Sequence, residues 1–469
     1  MFFYILKRLS IFIPTLIVIS VILFNLSSHA CCDAAESSLG LCQEHDKEMP
    51  ISEADYRSVR TQLGIDKPLF YIELASLADS DTLYHIPYRE HRELLSRLVE
   101  QFGNWNSVSA YYGSLQQATA TLAHVPTDTI PLQYLVVLKD RVQTLYHTTK
   151  PDEIRTALKI LKETVDISKY STIKAIIADI IVHYDNLEPA ATRWKCYVPV
   201  VYFHGKNNQY HAWITNFIHG NFGISYFSKR PVSDELGDRI YWTIFTTSIT
   251  ILIVYFLAIP LGVYSARKRG TRSDNIISTI LFALHSLPNF WVGTLLIIFF
   301  CQPLYFNWFP PYGLGDASVA EDGWGVTIST VGYHLILPIF CMAYNGVAFL
   351  SRQMRGSMLE SLRQDYIRTA WAKGATESHV TWHHAFRNSL LPVITQFASV
   401  FPGLVAGSVV IETIFTLPGM GQRILQAIYS HDYPIIFTIV MLTSVLTMTG
   451  NLVADILYAT VDPRIRFGK

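Results

Sequence analysis

Residues 365–394 decide the fold, and their sequence is DYIRTAWAKGATESHVTWHHAFRNSLLPVI. This stretch is polar, basic and helix-prone, and it lies between two long apolar runs. Gly374 lets the backbone turn without a Cβ penalty, and the Thr376 hydroxyl is placed to cap a second helix. Leu391 and Pro392 open the next apolar run, since proline is tolerated in the first turn of a helix. The stretch therefore predicts two short helices joined at Gly374, a rigid lever on which something outside the membrane can push.

The order of these residues carries a resemblance to a family. Arg-Thr-Ala-x-x-x-Gly at 368–374, followed by Leu-Leu-Pro at 390–392, resembles the "EAA" loop in permease subunits of binding-protein-dependent ABC importers. The loop is most similar to the oligopeptide/dipeptide/nickel branch, of the oligopeptide permease B type. Its first two residues replace the Glu-Ala of many importers, and its glycine-to-proline gap is longer than in sugar or amino-acid permeases. An ordinary solvated cytoplasmic loop is the alternative.

The resemblance implies a role and partners for this loop. In the family, the loop docks into a groove on a separate ATPase subunit. Arg368 and Lys373 would make polar contacts there, Ala370 and Ala372 would allow close approach, and Gly374 would set the bend. The matched coupling-loop positions are Arg368, Thr369, Ala370, Ala372, Lys373, Gly374, Leu391 and Pro392. The implied partners are a second permease subunit, two ATP-binding cassette ATPases, an external solute-binding protein and a peptide solute. ATP and magnesium would bind the ATPases, with no cofactor on this chain.

Composition and apolar runs place the chain in a lipid membrane. Of the 469 residues, 50% are hydrophobic and the formal net charge is zero, a balance that argues against nucleic acid as a partner. The apolar residues concentrate in runs near the ~20 residues that span a bilayer as a helix. The six predicted spans are about 9–26, 240–266, 276–300, 333–350, 391–415 and 435–460. We interpret the first as a retained anchor rather than a cleavable signal.

The runs and the resemblance together predict the fold class. We expect an all-α integral membrane protein with the six transmembrane helices of the type I ABC importer permease fold. A large external, mainly helical insertion interrupts it. The expected divisions are an N-terminal helix at 1–30, an external region at 31–239 with an insert at about 70–210, and a core at 240–469. The coupling loop occupies 352–390 of that core. Family-like strings also occur at 56–69, 213–226, 358–366, 412–421, 432–434, 451–458 and 462–466.

Positive charge predicts the orientation of these spans. Residues 302–332 contain no Lys or Arg, and the next loop on that side has only Arg423. The basic residues of the other side are Lys7, Arg8, Arg267, Lys268, Arg269, Arg272, Arg352, Arg355, Arg363, Arg368, Lys373, Arg387, Arg464, Arg466 and Lys469. Because Lys and Arg in short loops stay cytoplasmic, both termini are predicted inside and the large region outside. The predicted location is the bacterial cytoplasmic (inner) membrane.

The insert shows helical periodicity. Apolar residues recur at three-to-four spacing in three segments, 94–102, 154–161 and 173–181, and Pro151 precedes two acidic residues as at a helix start. We predict a small helical subdomain, which either contacts a substrate-binding protein or decorates the loop. The external region contains four cysteines, Cys31, Cys32, Cys42 and Cys196. Outside the cell a disulfide can form among them, but the sequence does not say which cysteines pair. A metal site from these four is disfavoured.

Catalytic motifs are absent from the sequence. No G-x-x-x-x-G-K-[ST] loop, G-x-S-x-G elbow, H-E-x-x-H or kinase signature occurs, so no catalytic or cofactor-binding residue is predicted. His379 and His383 stand at i, i+4 with His384 beside them. That spacing can hold a metal, but no carboxylate or cysteine lies nearby, which favours a solvated or docking face. We predict a transport subunit that is not an enzyme.

Two ionisable residues, Glu412 and Asp455, lie within the predicted spans. Placing a charged side chain in hydrocarbon costs free energy, and we favour structural hydrogen bonding over proton coupling as the role of both. Gly403, Gly407 and Ser408 let helices approach closely. With Glu412 they are the candidate pathway and gate positions, because the fifth span resembles the gate-forming span of the family.

Two functions from different classes follow. The main hypothesis is a permease subunit of an ATP-driven ABC importer for oligopeptides or dipeptides, with nickel or glutathione as other solutes of the same branch. The competing hypothesis is a proton-coupled secondary transporter or a receptor, which would depend on Glu412 or Asp455 and need no ATPase.

Overall fold

The computed structural model describes residues 2–28, 34–39, 53–80, 82–125, 131–167, 171–315, 324–398 and 400–461. The chain forms two compact units, 1–30 with 220–469, and 31–219. Its helices and strands, in chain order, are α1 (Phe2–Ser28), α2 (Ala34–Leu39), α3 (Glu53–Leu63), β1 (Ile72–Ser76), α4 (Arg89–Phe102), α5 (Trp105–Ala123), α6 (Leu132–Leu145), α7 (Pro151–Ile167), α8 (Ser171–Asp185), β2 (Pro199–Phe203), α9 (Gln209–Ile218), α10 (Val232–Arg267), α11 (Arg272–Ser286), α12 (Asn289–Leu296), α13 (Trp324–Leu362), α14 (Asp365–Ala372), α15 (Glu377–His379), α16 (Phe386–Ser389), α17 (Leu391–Ala398), α18 (Val400–Ala406), α19 (Val409–Ile414), α20 (Met420–Tyr429) and α21 (Tyr433–Val461).

The first unit carries the apolar helices. Within the described residues, four segments are long and apolar enough to cross a membrane: Ile5–Leu26, Val232–Arg267, Ser329–Leu362 and Tyr433–Leu457. A fifth results if the pair Arg272–Ser286 and Asn289–Cys301, bent by 91°, is one span. The predicted all-α membrane fold is confirmed.

Two predicted spans are broken. The run at 276–300 bends at Leu287–Pro288, because proline lacks an N–H and keeps the preceding residue extended. Within the run at 391–415, α18 ends at Ala406 and α19 begins at Val409. Gly407 lies in this break, and its φ of +67° is the left-handed conformation in which helices commonly end.

Helices α10 and α13 pack closely where glycines remove side-chain bulk. A Cβ on Gly262 would lie 2.6 Å from Met354 Cβ and 2.7 Å from the Ser351 carbonyl oxygen. One on Gly346 would lie 3.0 Å from Val254 Cγ2. Small residues permit such approach of membrane helices, so any larger side chain at Gly262 would push the pair apart.

The second unit contains the predicted helical subdomain. The periodic apolar residues of α4, α7 and α8 are buried in one core together with α5 and α6, as the sequence predicts, and α7 begins at Pro151. Cys196 donates its thiol to the carbonyl oxygen of Val99 at 3.5 Å. Cys31, Cys32 and Cys42 lie outside the described residues.

A two-stranded ribbon joins the two ends of the insert. Strands β1 and β2 pair antiparallel, from Ile72 opposite Phe203 to Ser76 opposite Pro199. Beyond the ribbon, the N–H of Gln209 donates to the Pro68 carbonyl at 3.0 Å. Residues 68 and 209, which lie just outside the two ends of the ribbon and far apart in sequence, are therefore in contact.

Candidate functional site

The 365–389 segment forms the two-helix structure predicted from the sequence, here called the elbow. Its first helix is α14. Its second helix consists of three successive segments: α15, a π-helical turn at Val380–Ala385, and α16. Gly374 joins them with a φ of +76°. Thr376 caps the second helix, since its Oγ1 accepts the N–H of His379 at 3.4 Å.

One face of the elbow is built into the core of the first unit. Ile367, Ala370, Val380 and Ala385 are buried against the ends of α10 and α13. Ala370 therefore packs inward, whereas the resemblance assigned it to close approach by an ATPase. Each helix of the elbow is thus held by apolar contact as well as by its hinge.

The opposite face of the elbow is exposed. Arg368, Thr369, Ala372, Lys373 and Gly374 all lie on it. The exposed aromatic residues of the elbow include Trp371, Trp382 and Tyr366, at 48%, 44% and 39% exposure. Leu391 and Pro392, half-buried, begin α17 directly after the elbow. This basic and aromatic face has the composition of a docking surface.

An ion pair ties the elbow to α10. Arg267, the last residue of α10, donates to Glu377 Oε1 from Nε at 3.1 Å and from Nη2 at 2.8 Å. The hydrogen bond and charge of Arg267 lower the pKa of the Glu377 carboxyl below its usual value. The pair is therefore charged at neutral pH and fixes the start of the second elbow helix.

A buried carboxylate ties α10, α11 and α13 together at the same end. Asp274 accepts hydrogen bonds from Arg355 Nε and Nη2, both at 2.8 Å, from the Gly270 N–H at 3.0 Å, and from the Ser265 hydroxyl. Such two-point pairing between a guanidinium and a carboxylate fixes geometry as well as charge. The elbow, α10 and α13 therefore meet in one rigid junction.

The opposite end of α10 contacts the 407–423 segment around Glu412. The Glu412 side chain is buried, and its oxygens accept the N–H of Ser408 at 3.0 Å and of Gln422 at 3.1 Å. Thr243 of α10 accepts the N–H of Met420 at 2.8 Å. Glu412 thus closes α19 and α20 into one loop, the structural role preferred from the sequence.

The glycines of this segment make room for that carboxylate. A Cβ on Gly407 or Gly419 would overlap the Glu412 carboxylate, and one on Gly421 would lie 2.6 Å from the Val409 nitrogen. Among the described residues, no atom lies within 4 Å of a Cβ added to Gly403, so the close helix approach predicted there stays a prediction. Ser408 acts through its backbone N–H.

An ionic cluster that the sequence did not predict lies beside this segment. Arg423, 2% exposed, donates from Nε to Glu235 at 2.5 Å and from Nη2 to Asp432 at 2.8 Å. Ser225 donates its hydroxyl to Asp432 at 2.5 Å. The cluster joins α10, α20 and the start of α21. The signal in the sequence was that Arg423 is the one basic residue of its loop.

Asp455, the other ionisable residue in a span, forms an ion pair. Its Oδ2 lies 3.0 Å from Arg8 Nη2, so α21 and α1 are joined by opposite charges. His379 and His383 stack at 4.6 Å between ring centroids on the exposed elbow face. Among the described residues, no group of three or more His, Cys, Asp or Glu side chains is arranged to hold a metal ion.

Comparison with known proteins identifies the family. A family model described as the inner membrane component of binding-protein-dependent transport systems matches residues 258–467. The oligopeptide transport system permease protein AppB of Bacillus subtilis (strain 168) is 40% identical over 260 residues, which cover 55% of this chain and 80% of AppB. This chain belongs to that family of transport system inner membrane components.

Other family members are similar over the same share of the chain. The inner membrane ABC transporter permease protein YejB of Escherichia coli O157:H7 is 34% identical over 262 residues, 56% of this chain and 72% of YejB. The glutathione transport system permease protein GsiC of Escherichia coli O1:K1 / APEC is 34% identical over 260 residues, 55% of this chain and 79% of GsiC. Inward-facing MetNI methionine ABC transporter aligns at 17% identity and a TM-score of 0.37, covering 48% of this chain and 96% of the MetNI chain, a likeness too weak to carry an argument.

Family membership confirms several expectations from the sequence. The chain is a multi-pass protein of the inner membrane with the ABC importer permease fold. It is a transport component rather than an enzyme, and it works with the other components of a binding-protein-dependent system.

Proposed function

We propose that this chain is the permease subunit of an ATP-driven importer that moves oligopeptides or dipeptides across the inner membrane. The observation that carries the proposal is the elbow, which is packed on α10 and α13 by one face and exposed by the other. The name of the 40%-identical relative, an oligopeptide permease, supports peptide as the solute.

The contacts of α10 give the elbow a mechanical role. The C-terminal end of this 36-residue helix is paired with the elbow through Arg267 and Glu377, and its N-terminal half contacts the 407–423 segment through Thr243. A push on the elbow would therefore act on a helix that also contacts the 407–423 segment. In the importer, closure of the ATPases supplies that push and switches the bundle between two arrangements.

The partners in this proposal are a second permease subunit, two ATPases that bind ATP and magnesium, and an external solute-binding protein. Arg368 and Lys373 face the ATPase, and Arg267 and Arg355 lie on the cytoplasmic side, as the positive-inside rule requires. Both termini are then cytoplasmic, and the 31–219 unit is external.

The test is reconstitution of the chain with its co-purifying subunits in proteoliposomes. Peptides added with the binding protein should raise ATP turnover and accumulate inside, whereas glutathione or nickel should do neither. If glutathione or nickel raises ATP turnover and peptides do not, the proposed solute is wrong and the one that raises turnover takes its place. Uptake by this chain alone, driven by a proton gradient, would overturn the proposal.

Proton coupling is disfavoured by the surroundings of the two span carboxyls. Glu412 already accepts backbone N–H groups, and Asp455 is paired with Arg8. Neither carboxyl is left to carry protons across the membrane without first breaking these contacts.

A further inference from the structure

Polar side chains meet at the bend between α11 and α12. His285 and Ser286, the last two residues of α11, are exposed on the surface of the chain. His285 Nδ1 lies 2.7 Å from Asn345 Oδ1 of α13, and the Tyr344 hydroxyl donates to the Leu287 carbonyl at 2.8 Å. These groups form a polar site at the bend, here called the bend site.

The bend site lies at the depth of the hydrocarbon core. At 1.5 Å per residue, His285 is roughly 20 Å along α11 from its first residue, Arg272. Asn345 is about 10 Å along α13 from Arg352, a basic residue of the cytoplasmic side. A bilayer core is about 30 Å thick, so both side chains fall within it.

Lipid would leave the polar groups at the bend without hydrogen-bond partners. Pro288 offers no N–H, and the end of α11 leaves carbonyl groups without partners in their own helix. Irregular backbone at membrane depth is tolerated only where protein buries it or a water-filled cavity borders it, and the described residues of this chain leave His285, Ser286 and Pro288 exposed. The buried Asn289 Oδ1 also has no hydrogen-bond partner among the described residues.

We propose that the bend site lines the solute pathway and binds the backbone amides of a peptide in transit. The proposal rests on the function proposed above and assigns that function a contact site. Imidazole and carboxamide groups both donate and accept hydrogen bonds, as peptide groups do. Contacts to backbone rather than side chains suit a solute of varied sequence.

Water access to the bend site is tested by cysteine labelling in the assembled transporter. His285→Cys is exposed to a membrane-impermeant methanethiosulfonate reagent, and modification at residue 285 is read by peptide mass spectrometry. Ile280→Cys is the matched control, since Ile280 lies on the same helix, 53% exposed and apolar. We expect labelling at 285, slowed by saturating peptide, and none at 280. If neither position is labelled, lipid or protein covers the bend, and the proposal is overturned. Labelling at 285 that saturating peptide does not slow would overturn it as well.

Peptide contact is tested by kinetics of the reconstituted complex. His285→Ala and Asn345→Ala should raise the KM for peptide in peptide-stimulated ATP turnover about tenfold, the loss of about 1.4 kcal/mol. Ile280→Ala should match the wild type. An unchanged KM in both variants would overturn the bend site but leave a peptide importer. A wild-type complex that no peptide stimulates would instead overturn the proposed function.

Discussion

Arg267, the last residue of α10, donates two hydrogen bonds to one carboxylate oxygen of Glu377, the first residue of the second elbow helix. Both side chains reach solvent, so the pair contributes little to the stability of the fold. The pair joins the elbow to α10. We therefore expect it to matter more for transmitting movement from the elbow to α10 than for stability.

Charge reversal at this junction should therefore uncouple transport without unfolding the chain. Glu377→Arg is expected to lower peptide uptake per ATP several-fold while the amount of membrane protein stays constant, and Arg267→Glu combined with Glu377→Arg should restore most of it. Uptake and ATP turnover measured in the same proteoliposomes check this. Glu153→Lys, which breaks the exposed Lys150–Glu153 pair, is the control. Coupling unaffected by the single reversal would contradict the transmission role.

The conformation of Gly374 predicts a contrast between two glycines. An added Cβ meets nothing within 4 Å at Gly374 or at Gly356, but only Gly374 has a positive φ, +76°. Gly374→Ala should cost roughly 1–2 kcal/mol locally because the left-handed region disfavours a Cβ, whereas Gly356→Ala should be neutral or slightly stabilising in its helix.

Uptake assays distinguish these glycine variants. Gly374→Ala should impair transport, Gly374→Asn should retain more activity because asparagine tolerates that conformation, and Gly356→Ala should transport normally. Bulkier replacements at 374 should abolish uptake with the protein still in the membrane. If every variant at 374 transports like the wild type, the hinge has no part in coupling.

The Arg423 cluster predicts a large effect on stability. Arg423→Ala would leave Glu235 and Asp432 as buried charges without their guanidinium, a loss of about 3–5 kcal/mol of unfolding free energy. Arg423→Ala with Glu235→Gln and Asp432→Asn should recover part of that loss, since neutral groups are cheaper to bury. Thermal unfolding of the purified chain in detergent measures both. A single variant as stable as the wild type would show that water reaches the cluster.

Local signals in the sequence predicted the elbow and the insert correctly. Gly374 needs no distant neighbour to turn the chain, Thr376 caps within three residues, and the apolar period of α4 reveals its buried face. The ABC importer permease fold was predicted instead from the resemblance of short strings, such as 368–374 and 390–392, to that family.

Features that depend on distant residues could not be predicted in this way. Arg423 meets Glu235 across 188 positions, and no local pattern announces such a pair. The apolar run at 391–415 gave no sign of its break at Gly407, because the conformation of Gly407 is set by the Glu412 carboxylate packed against it. Gly403 is the same residue type in the same run, and an added Cβ there would meet no atom of the described residues within 4 Å, so only the packed structure distinguishes the two glycines.

His91 in α4 predicts that the insert loses stability in acid. Its ring stacks on Tyr146 at 4.3 Å and lies 2.9 Å from the Tyr112 hydroxyl. Burial, and then the charge of nearby His147, lower the pKa of His91 from 6.5 to about 4. Between these values the unfolded chain binds a proton that the folded chain does not. Stability present above pH 6.5 is therefore lost as pH falls toward 4, by about 1–2 kcal/mol after allowance for solvent screening.

Hydrogen exchange of the full chain measures this loss at α4, α5 and α6. Protection corrected for intrinsic rates should fall between pH 7 and pH 5 in the wild type and in His124→Gln, a variant of an exposed histidine, but much less in His91→Phe. A pH response equal in all three chains would assign the effect to other groups, among them the exposed His147–Glu90 pair.

Because β1 and β2 pair at the two ends of the insert, we predict that the helical bundle between them can be deleted without unfolding the rest of the chain. Because Ser76 and Pro199 face each other at the end of paired strands, a two-residue Asn-Gly turn between them would close β1 and β2 into a hairpin. The hydrogen bond from Gln209 to Pro68 lies outside the excised part and should persist. We expect the shortened chain to reach the membrane and assemble with its partners, as checked by co-purification. If it assembles but binds the solute-binding protein more weakly than the full chain, the bundle contributes to that contact. Loss of assembly altogether would show that the bundle is part of the permease fold rather than an addition to it.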